Sequence, residues 1–153
     1  MLVSVVIPTY NRLPILQQCL RALEAQQHLD PGDSFEVVLV DDGSTDGTVE
    51  WIQREAAALP HVRLICQEHG GPAIGRNLGV DHAHGEVIIF IDSDLVVVPD
   101  FLRHHLRSLR QAWQRDGNRL CFTYGAVINT HNFDSPESEP HKLSDLSWAY
   151  FAT

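Results

Sequence analysis

The fold of this chain is decided by Val87-Ile88-Ile89-Phe90-Ile91-Asp92-Ser93-Asp94, five apolar residues followed by two carboxylates one residue apart. Uninterrupted apolar runs with β-branched members are typical of strands buried on both faces of a parallel sheet. On an extended backbone, side chains two residues apart point the same way, so we expect Asp92 and Asp94 to face one spot beyond the strand. Open α/β sheets bind ligands outside the carboxyl ends of their strands. The stretch therefore predicts a ligand site, and two close anions there favour a divalent cation.

Strand-like and helix-like patterns alternate around this stretch. Strand patterns cover residues 3–7, 35–40 and 62–66, and apolar residues recur at helical spacing over residues 13–23, 49–59, 72–83 and 102–113. Gly85 is expected to close the third of these helices as a left-handed cap. This alternation predicts an α/β fold, a Rossmann-like and mostly parallel sheet with helices on both faces.

The C-terminal part of the sequence has a weaker pattern. Leu120 to Asn129 predicts a further strand, whereas residues 131–147 are polar, contain two prolines and show no clear period, which predicts a flexible loop. Residues 147–151 turn apolar again, yet the chain ends at Thr153. We therefore expect a single domain over residues 1–153 that is truncated, and so incomplete, at its C-terminus.

Composition limits the class of protein and its partners. The chain has 153 residues with 44% hydrophobic content, which fits one compact domain that buries roughly 70% of its unfolded surface. It carries 11 Lys plus Arg against 20 Asp plus Glu, a formal net charge of -9. No stretch gathers the basic residues that phosphate-backbone binding needs, so nucleic acid is not an expected partner.

The sequence also bears on membranes and on cellular location. No window approaches the roughly 20 apolar residues of a membrane span, and peripheral association with a membrane surface stays open. Cys19, Cys66 and Cys121 are far apart, odd in number and without metal-type spacing. They therefore predict free thiols in a reducing compartment, the cytoplasm.

Two segments that follow predicted strands carry polar residues. The first, Pro8-Thr9-Tyr10-Asn11-Arg12, lacks the Gly-x-Gly-x-x-Gly turn that lets a backbone approach a dinucleotide pyrophosphate, which argues against NAD and FAD. The second begins with Asp41 and Asp42, and a carboxylate there can accept hydrogen bonds from a base N–H or a ribose hydroxyl. The alternative is that Asp42, Ser44 and Asp46 only cap the turn and the next helix, and for Asp46 we favour it.

Four blocks of sequence carry a resemblance to a known family. They are Val5 to Arg12, Val40 to Asp46, Gly71 to Gly79 and Asp92 to Asp94. In this order and spacing they resemble the family 2 glycosyltransferases, whose nucleotide-diphospho-sugar transferase domain has the GT-A fold. The resemblance covers residues 3–101. It implies an enzyme that moves a sugar from a nucleotide-diphospho-sugar donor to an acceptor hydroxyl, with inversion.

The resemblance implies a set of donor-binding residues. Positions that bind the nucleotide-sugar in the family are matched here by Thr9, Tyr10, Asp42, Arg76 and Asp92, and we expect the neighbouring Pro8 and Asp41 to share that role. Among these, Asp92 matches the acid near the ribose, and Arg76 matches an arginine that holds the donor and orients the acidic motif. For Arg76, a plain ion-paired helix residue stays open as the alternative. The expected donor is a UDP-sugar, and the sugar and the acceptor are left open.

The resemblance also implies a metal. Asp94, together with Asp92, matches the family's metal-coordinating Asp-x-Asp motif, although many relatives carry a further acid where this chain has Leu95. A carboxylate about 4 Å from a diphosphate charge costs about 4 kcal/mol per pair at an effective dielectric near 20. Mn²⁺ or Mg²⁺ between Asp94 and the phosphates turns this repulsion into a net attraction, because these cations bind one or two carboxylates plus substrate oxygens and waters.

The catalytic base is not identified by the sequence. Glycosyl transfer needs an acid–base group near the acceptor hydroxyl, and in the family this acid follows the region where the chain stops. The acids of the polar C-terminal segment have no motif that singles one out: Asp134, Glu137, Glu139 and Asp145. We therefore expect the base beyond Thr153, with a catalytically silent nucleotide-sugar-binding fragment as the alternative. A nucleotidyltransferase of related fold is disfavoured, because its Gly-rich first loop is absent.

Overall fold

The computed structural model describes residues 1–125 and 127. Its elements in chain order are β1 (Leu2–Thr9), α1 (Leu13–Glu24), β2 (Ser34–Asp41), α2 (Thr48–Arg54), a 3-10 helix (Ala56–Ala58), β3 (Val62–Cys66), α3 (Pro72–Asp81), β4 (Val87–Phe90) and α4 (Phe101–Asp116). No helix within these residues is long and apolar enough to cross a bilayer. The three cysteines are free thiols.

Four strands form one parallel sheet in the order β3-β2-β1-β4. The central strand β1 pairs with β2 and β4, and its register places Val5 between Val37 and Ile89. Residues 3–9 of β1 are all buried, as expected for a strand covered on both faces. Because all four strands run the same way, their carboxyl ends lie at one edge, where Thr9 and Asp41 are register partners. The predicted α/β, Rossmann-like parallel sheet is confirmed.

Helix α3 packs closely on β1 and β2 because two of its residues lack a side chain. A Cβ on Gly75 would lie 3.2 Å from Pro8 Cβ, and one on Gly79 would collide with Val6 Cγ1. Below the helix, Val6, Val38 and Val40 form a buried cluster, with Ile65, Leu78 and Ile88 packed against it. The close approach fixes the position of α3, and therefore of Arg76, over the sheet.

Several predicted boundaries differ from the structure. The prediction that Gly85 closes α3 as a left-handed cap is wrong: α3 ends at Asp81, its C-cap is His82, and Gly85 is not among the glycines with positive φ. Gly85 instead permits a close approach to β1, since a Cβ there would lie 2.5 Å from Ser4 N. The helix predicted over residues 49–59 is divided into α2 and the 3-10 helix.

The C-terminal predictions are only partly covered. Residues 120–125 and 127 contain no strand, so the first half of the strand predicted from Leu120 is wrong. The flexible loop predicted at 131–147 and its four acids lie outside the described residues. The single domain predicted over residues 1–153 stays a prediction.

The described chain divides into two compact units, one of Met1–Ala25 with Asp30–Val97, the other of Gln26–Leu29 with the described residues from Val98. The first contains the sheet and α1 to α3. In the second, the side chain of Gln26 donates to Val98 O at 2.8 Å and accepts from Leu102 N at 3.0 Å, which joins its two segments.

Candidate functional site

The loops that follow β1 and β2 are joined at the carboxyl edge of the sheet. Asp42 N donates to Thr9 O at 2.9 Å. Asn11, with a φ of 50°, donates its backbone N–H to Ser44 Oγ at 2.9 Å and accepts from Thr45 N at 2.7 Å through its side-chain oxygen. These bonds connect distant parts of the sequence and hold the loops after β1 and β2 together. We call these two joined loops the frame.

Asp46 anchors the first turns of two helices to this frame. Its carboxylate accepts from Leu13 N at 2.9 Å, from Thr48 N at 3.2 Å and from Thr48 Oγ1 at 2.6 Å. Burial alone would raise the pKa of Asp46, but these hydrogen bonds outweigh it and lower the pKa. The predicted capping role of Asp46 is confirmed.

Asp42 is buried and bonded on both carboxylate oxygens. Oδ1 accepts from Gln67 Nε2 at 2.5 Å and from Gly70 N at 2.8 Å, while Oδ2 accepts from Gly71 N at 2.9 Å and lies 2.9 Å from His69 Nδ1. Burial opposes ionisation, yet the bonds from Gln67, Gly70 and Gly71 and the nearby His69 lower the pKa of Asp42. The carboxylate therefore holds the segment between β3 and α3 in place.

Tyr10 stacks on His69. The ring centroids are 4.2 Å apart with an interplanar angle of 27°. Tyr10 is 43% exposed, so the pair presents an aromatic surface to solvent beside the buried Asp42. Sequence reasoning missed His69, which belongs to no periodic pattern or motif. Only the fold brings its imidazole to Tyr10.

Two buried side-chain oxygens lie at the ends of β1 and β2. Thr9 and Asp41 are 3% and 2% exposed, and within the described residues neither Thr9 Oγ1 nor Asp41 Oδ1 has a hydrogen-bond partner. The other oxygen of Asp41 accepts from Ser44 N at 3.0 Å. An unsatisfied buried polar atom costs about 1–3 kcal/mol. A ligand that displaces the atoms covering these oxygens and donates hydrogen bonds to them would relieve that cost. Pro8, in contrast, is buried below α3 at Gly75.

Asp92 and Asp94 lie in a turn. β4 ends at Phe90, and Leu95 N donates to Asp92 O at 3.1 Å. The expectation that an extended backbone aligns the two carboxylates is therefore wrong, because the chain has already left the sheet. The turn still lies directly after the carboxyl end of β4, as the apolar run predicted.

Each of these carboxylates has its own arginine. Arg76 Nη2 on α3 lies 2.5 Å from Asp92 Oδ1, and Arg12 Nη1, in the loop after β1, lies 2.8 Å from Asp94 Oδ2. The contact of Arg76 with Asp92 is compatible with both alternatives for this residue: a plain ion-paired helix residue, and an arginine that orients the acidic motif. The Arg12 contact was not predicted.

The donor atoms of this turn fit Mn²⁺ or Mg²⁺. Asp92 and Asp94 supply hard oxygen ligands, and in the described part of the chain no group of three or more His, Cys, Asp or Glu residues could hold a metal. A cation that needs six or more protein oxygens does not match this set. Mg²⁺-like ions do, because they bind one or two carboxylates and complete their shell with substrate phosphates and waters.

The comparisons with known proteins identify the family. The family model for glycosyl transferase family 2 matches residues 4–132. The glycosyltransferase YibD of Escherichia coli is 36% identical over 96 residues, which cover 63% of this chain and 27% of that protein. The chondroitin synthase of Pasteurella multocida is 33% identical over 153 residues, 97% of this chain and 15% of that protein. The chain spans less than a third of the length of the first curated relatives, which are covered to 26%, 27% and 30%.

Similar solved structures are also glycosyltransferases or are bound to a nucleotide-sugar. S. aureus TarS 1-349 in complex with UDP-GlcNAc has a TM-score of 0.64 and 32% identity, covering 72% of this chain and 32% of that one. The mannosyltransferase PcManGT of Pyrobaculum calidifontis, in complex with GDP-Man and Mn²⁺, has a TM-score of 0.62 and 32% identity, covering 69% of this chain and 31% of that one. The predicted GT-A fold is thereby confirmed. Family model, sequence relatives and fold together establish that this chain belongs to glycosyltransferase family 2.

Proposed function

We propose that this chain binds the nucleotide-diphospho-sugar donor of a metal-dependent, inverting glycosyltransferase that transfers a sugar to an acceptor hydroxyl. The observation that carries the proposal is the pair of buried, unsatisfied oxygens of Thr9 and Asp41 at the same sheet edge as the turn that carries Asp92 and Asp94. The buried oxygens suit hydrogen-bond donors of a nucleoside. The carboxylates of the turn suit a cation that accompanies a diphosphate.

On this proposal the nucleoside lies against the ends of β1 and β2. Thr9 and Asp41 accept its hydrogen bonds, and the exposed ring of Tyr10 provides a surface on which a base can stack. Asp42 does not contact the nucleoside in this proposal. It holds the segment that carries His69 in place, since both oxygens of its carboxylate are bonded within the chain. Pro8 supports α3 from inside the core.

Asp94, with Asp92, would hold Mn²⁺ or Mg²⁺. When bound, the ion supplies positive charge that offsets the diphosphate and stabilises the departing nucleoside diphosphate. Arg76 positions Asp92 through their 2.5 Å ion pair and adds positive charge near the donor. Charges of both signs therefore lie at this turn, and a polyanionic donor and a cation can both be accommodated.

The structural relatives support a nucleotide-diphospho-sugar donor. One is in complex with UDP-GlcNAc and another with GDP-Man, and we propose a UDP-sugar for this chain. The general base is proposed to lie beyond Thr153. A catalytically silent nucleotide-sugar-binding fragment is the less favoured alternative, and assay of the full-length protein for sugar transfer distinguishes the two. The cytoplasm is the proposed location, on the basis of three free thiols, and peripheral membrane association stays open.

Calorimetric titration tests the donor site. UDP, GDP and dTDP are titrated into the chain with and without Mn²⁺, and into Asp94→Asn. We expect Mn²⁺-dependent binding of at least one nucleotide, weakened at least about tenfold by the substitution, because a metal ligand is lost.

Asp81→Asn is the matched control. Asp81 is the exposed last residue of α3, so its substitution removes the same charge without touching the turn, and binding should be unchanged. Equal affinity of the unsubstituted chain and Asp94→Asn would contradict the role proposed for Asp94.

A further inference from the structure

The contact between Arg12 and Asp94 has a fixed geometry on the Arg12 side. Arg12 is the N-cap residue of α1, and its carbonyl accepts from Leu16 N at 3.0 Å. The residues on either side are held by bonds to the loop after β2, from Asn11 N to Ser44 Oγ and from Leu13 N to Asp46 Oδ2, both at 2.9 Å. The backbone therefore presents Arg12 to Asp94 independently of any ligand.

The Arg12 side chain can move away from Asp94. It is 54% exposed, and the Asp94 side chain is 34% exposed. Ion pairs with this exposure are weak because water screens the charges and a long side chain loses freedom in forming them. The contact can therefore be exchanged for a stronger one.

A guanidinium and a divalent cation compete for the same carboxylate. Arg12 Nη1 lies 2.8 Å from Asp94 Oδ2, so a cation that binds this oxygen has to share it with the guanidinium or displace the guanidinium. Two positive groups on one carboxylate also repel each other. Asp92 has a separate partner in Arg76, and among the described residues Arg12 is paired with Asp94.

We propose that Arg12 is the resting counter-ion of Asp94, which keeps this carboxylate oriented in the metal-free chain and is displaced when Mn²⁺ or Mg²⁺ binds. This inference rests on the metal site of the proposed function. It assigns Arg12 a positioning role. Unlike the loss of a metal ligand, the loss of the Arg12 charge is expected to raise the affinity for the metal.

The test measures binding of Mn²⁺ alone, without nucleotide, by the loss of the electron paramagnetic resonance signal of the free ion. We expect Arg12→Gln to bind Mn²⁺ about fivefold more tightly than the unsubstituted chain, the factor for losing a competing exposed ion pair. Arg12→Lys, which keeps the charge, should stay close to the unsubstituted affinity.

Two controls separate this role from general charge effects. Arg54→Gln removes an exposed positive charge paired with Glu55 at 3.4 Å and should leave Mn²⁺ affinity unchanged. In an Asp94→Asn background, Arg12→Gln should have no effect, because the shared carboxylate is gone. Circular dichroism verifies that each variant is folded.

The outcomes distinguish this inference from the proposed function. Equal or weaker Mn²⁺ binding by Arg12→Gln, with Mn²⁺ still required for nucleotide binding, overturns the role of Arg12 and leaves the metal site standing. The absence of saturable Mn²⁺ binding in every variant, together with metal-independent nucleotide binding, overturns both.

Discussion

Replacing Glu36 by Gln is expected to destabilise the sheet unit at neutral pH. The Glu36 carboxylate accepts from Ser4 Oγ at 2.6 Å and from His84 N at 2.7 Å, and Arg63 Nη2 lies 3.4 Å away. Its side chain is 17% exposed. These bonds join β2 to β1, to β3 and to the segment between α3 and β4, so one carboxylate supports four parts of the unit.

The magnitude follows from the pKa of Glu36. Burial alone would raise it, but the bonds from Ser4 and His84 and the charge of Arg63 lower the pKa from 4.5 to about 2. That difference corresponds to about 3 kcal/mol of stability. Because the folded-state pKa is the lower one, this contribution is complete above the unfolded-state pKa and is lost as pH falls towards 2.

Urea unfolding followed by circular dichroism measures this effect. At pH 7 we expect Glu36→Gln to be about 3 kcal/mol less stable than the unsubstituted chain, and at pH 3 the difference should shrink to about 1 kcal/mol, since the unfolded state then binds a proton. Glu68→Gln is the matched control: Glu68 is exposed, and its substitution should change stability by less than about 0.5 kcal/mol. A difference that does not depend on pH would refute the electrostatic reasoning.

Two further substitutions test the frame around the site. Gly79→Ala places a methyl group against the fully buried Val6 and should cost about 1–3 kcal/mol by overpacking; an unchanged urea midpoint would show that α3 can move away freely. Asp42→Asn removes an acceptor from Gly71 N and should cost about 1–3 kcal/mol, with faster hydrogen exchange at Gly70 and Gly71. Since the pKa of Asp42 is lowered, its stabilisation is complete above the ordinary aspartate pKa and is lost as pH falls through the lowered one. The protection factors of these two amides in the unsubstituted chain, which correct for the intrinsic slowing of exchange in acid, should fall over the same range. Protection factors that survive both changes would contradict the anchoring role.

The strands and the positions of the acids could be predicted because they depend on local chemistry. Apolar runs such as residues 87–91 indicate strands, and polar residues directly after them lie at the carboxyl edge of a parallel sheet. The prediction that this run is buried on both faces is wrong, because β4 is an edge strand of the described sheet and Phe90 is 51% exposed. The resemblance to family 2 glycosyltransferases rests on the same local blocks. The capping of Thr48 by Asp46 was predicted correctly because it involves residues two positions apart, whereas the bond from Leu13 N to Asp46 was not predicted.

The errors have a common physical cause. Gly85 has the sequence signature of a helix cap, yet it is required by the approach of its backbone to Ser4, a residue in another strand. Asp92 and Asp94 were expected on an extended backbone, but the chain turns once β4 ends. In both cases the local pattern was compatible with two conformations, and packing selected one.

The sequence by itself determined the four strands of the described sheet and the acids at its carboxyl edge, because hydrophobic burial and peptide geometry act over a few residues. Only the tertiary structure decided the partners of those acids. Arg12 and Asp94 are 82 positions apart, and His69 reaches Tyr10 and Asp42 only through the loop after β3. Such pairs depend on how loops from separate strands meet, and no local preference of the chain encodes that meeting.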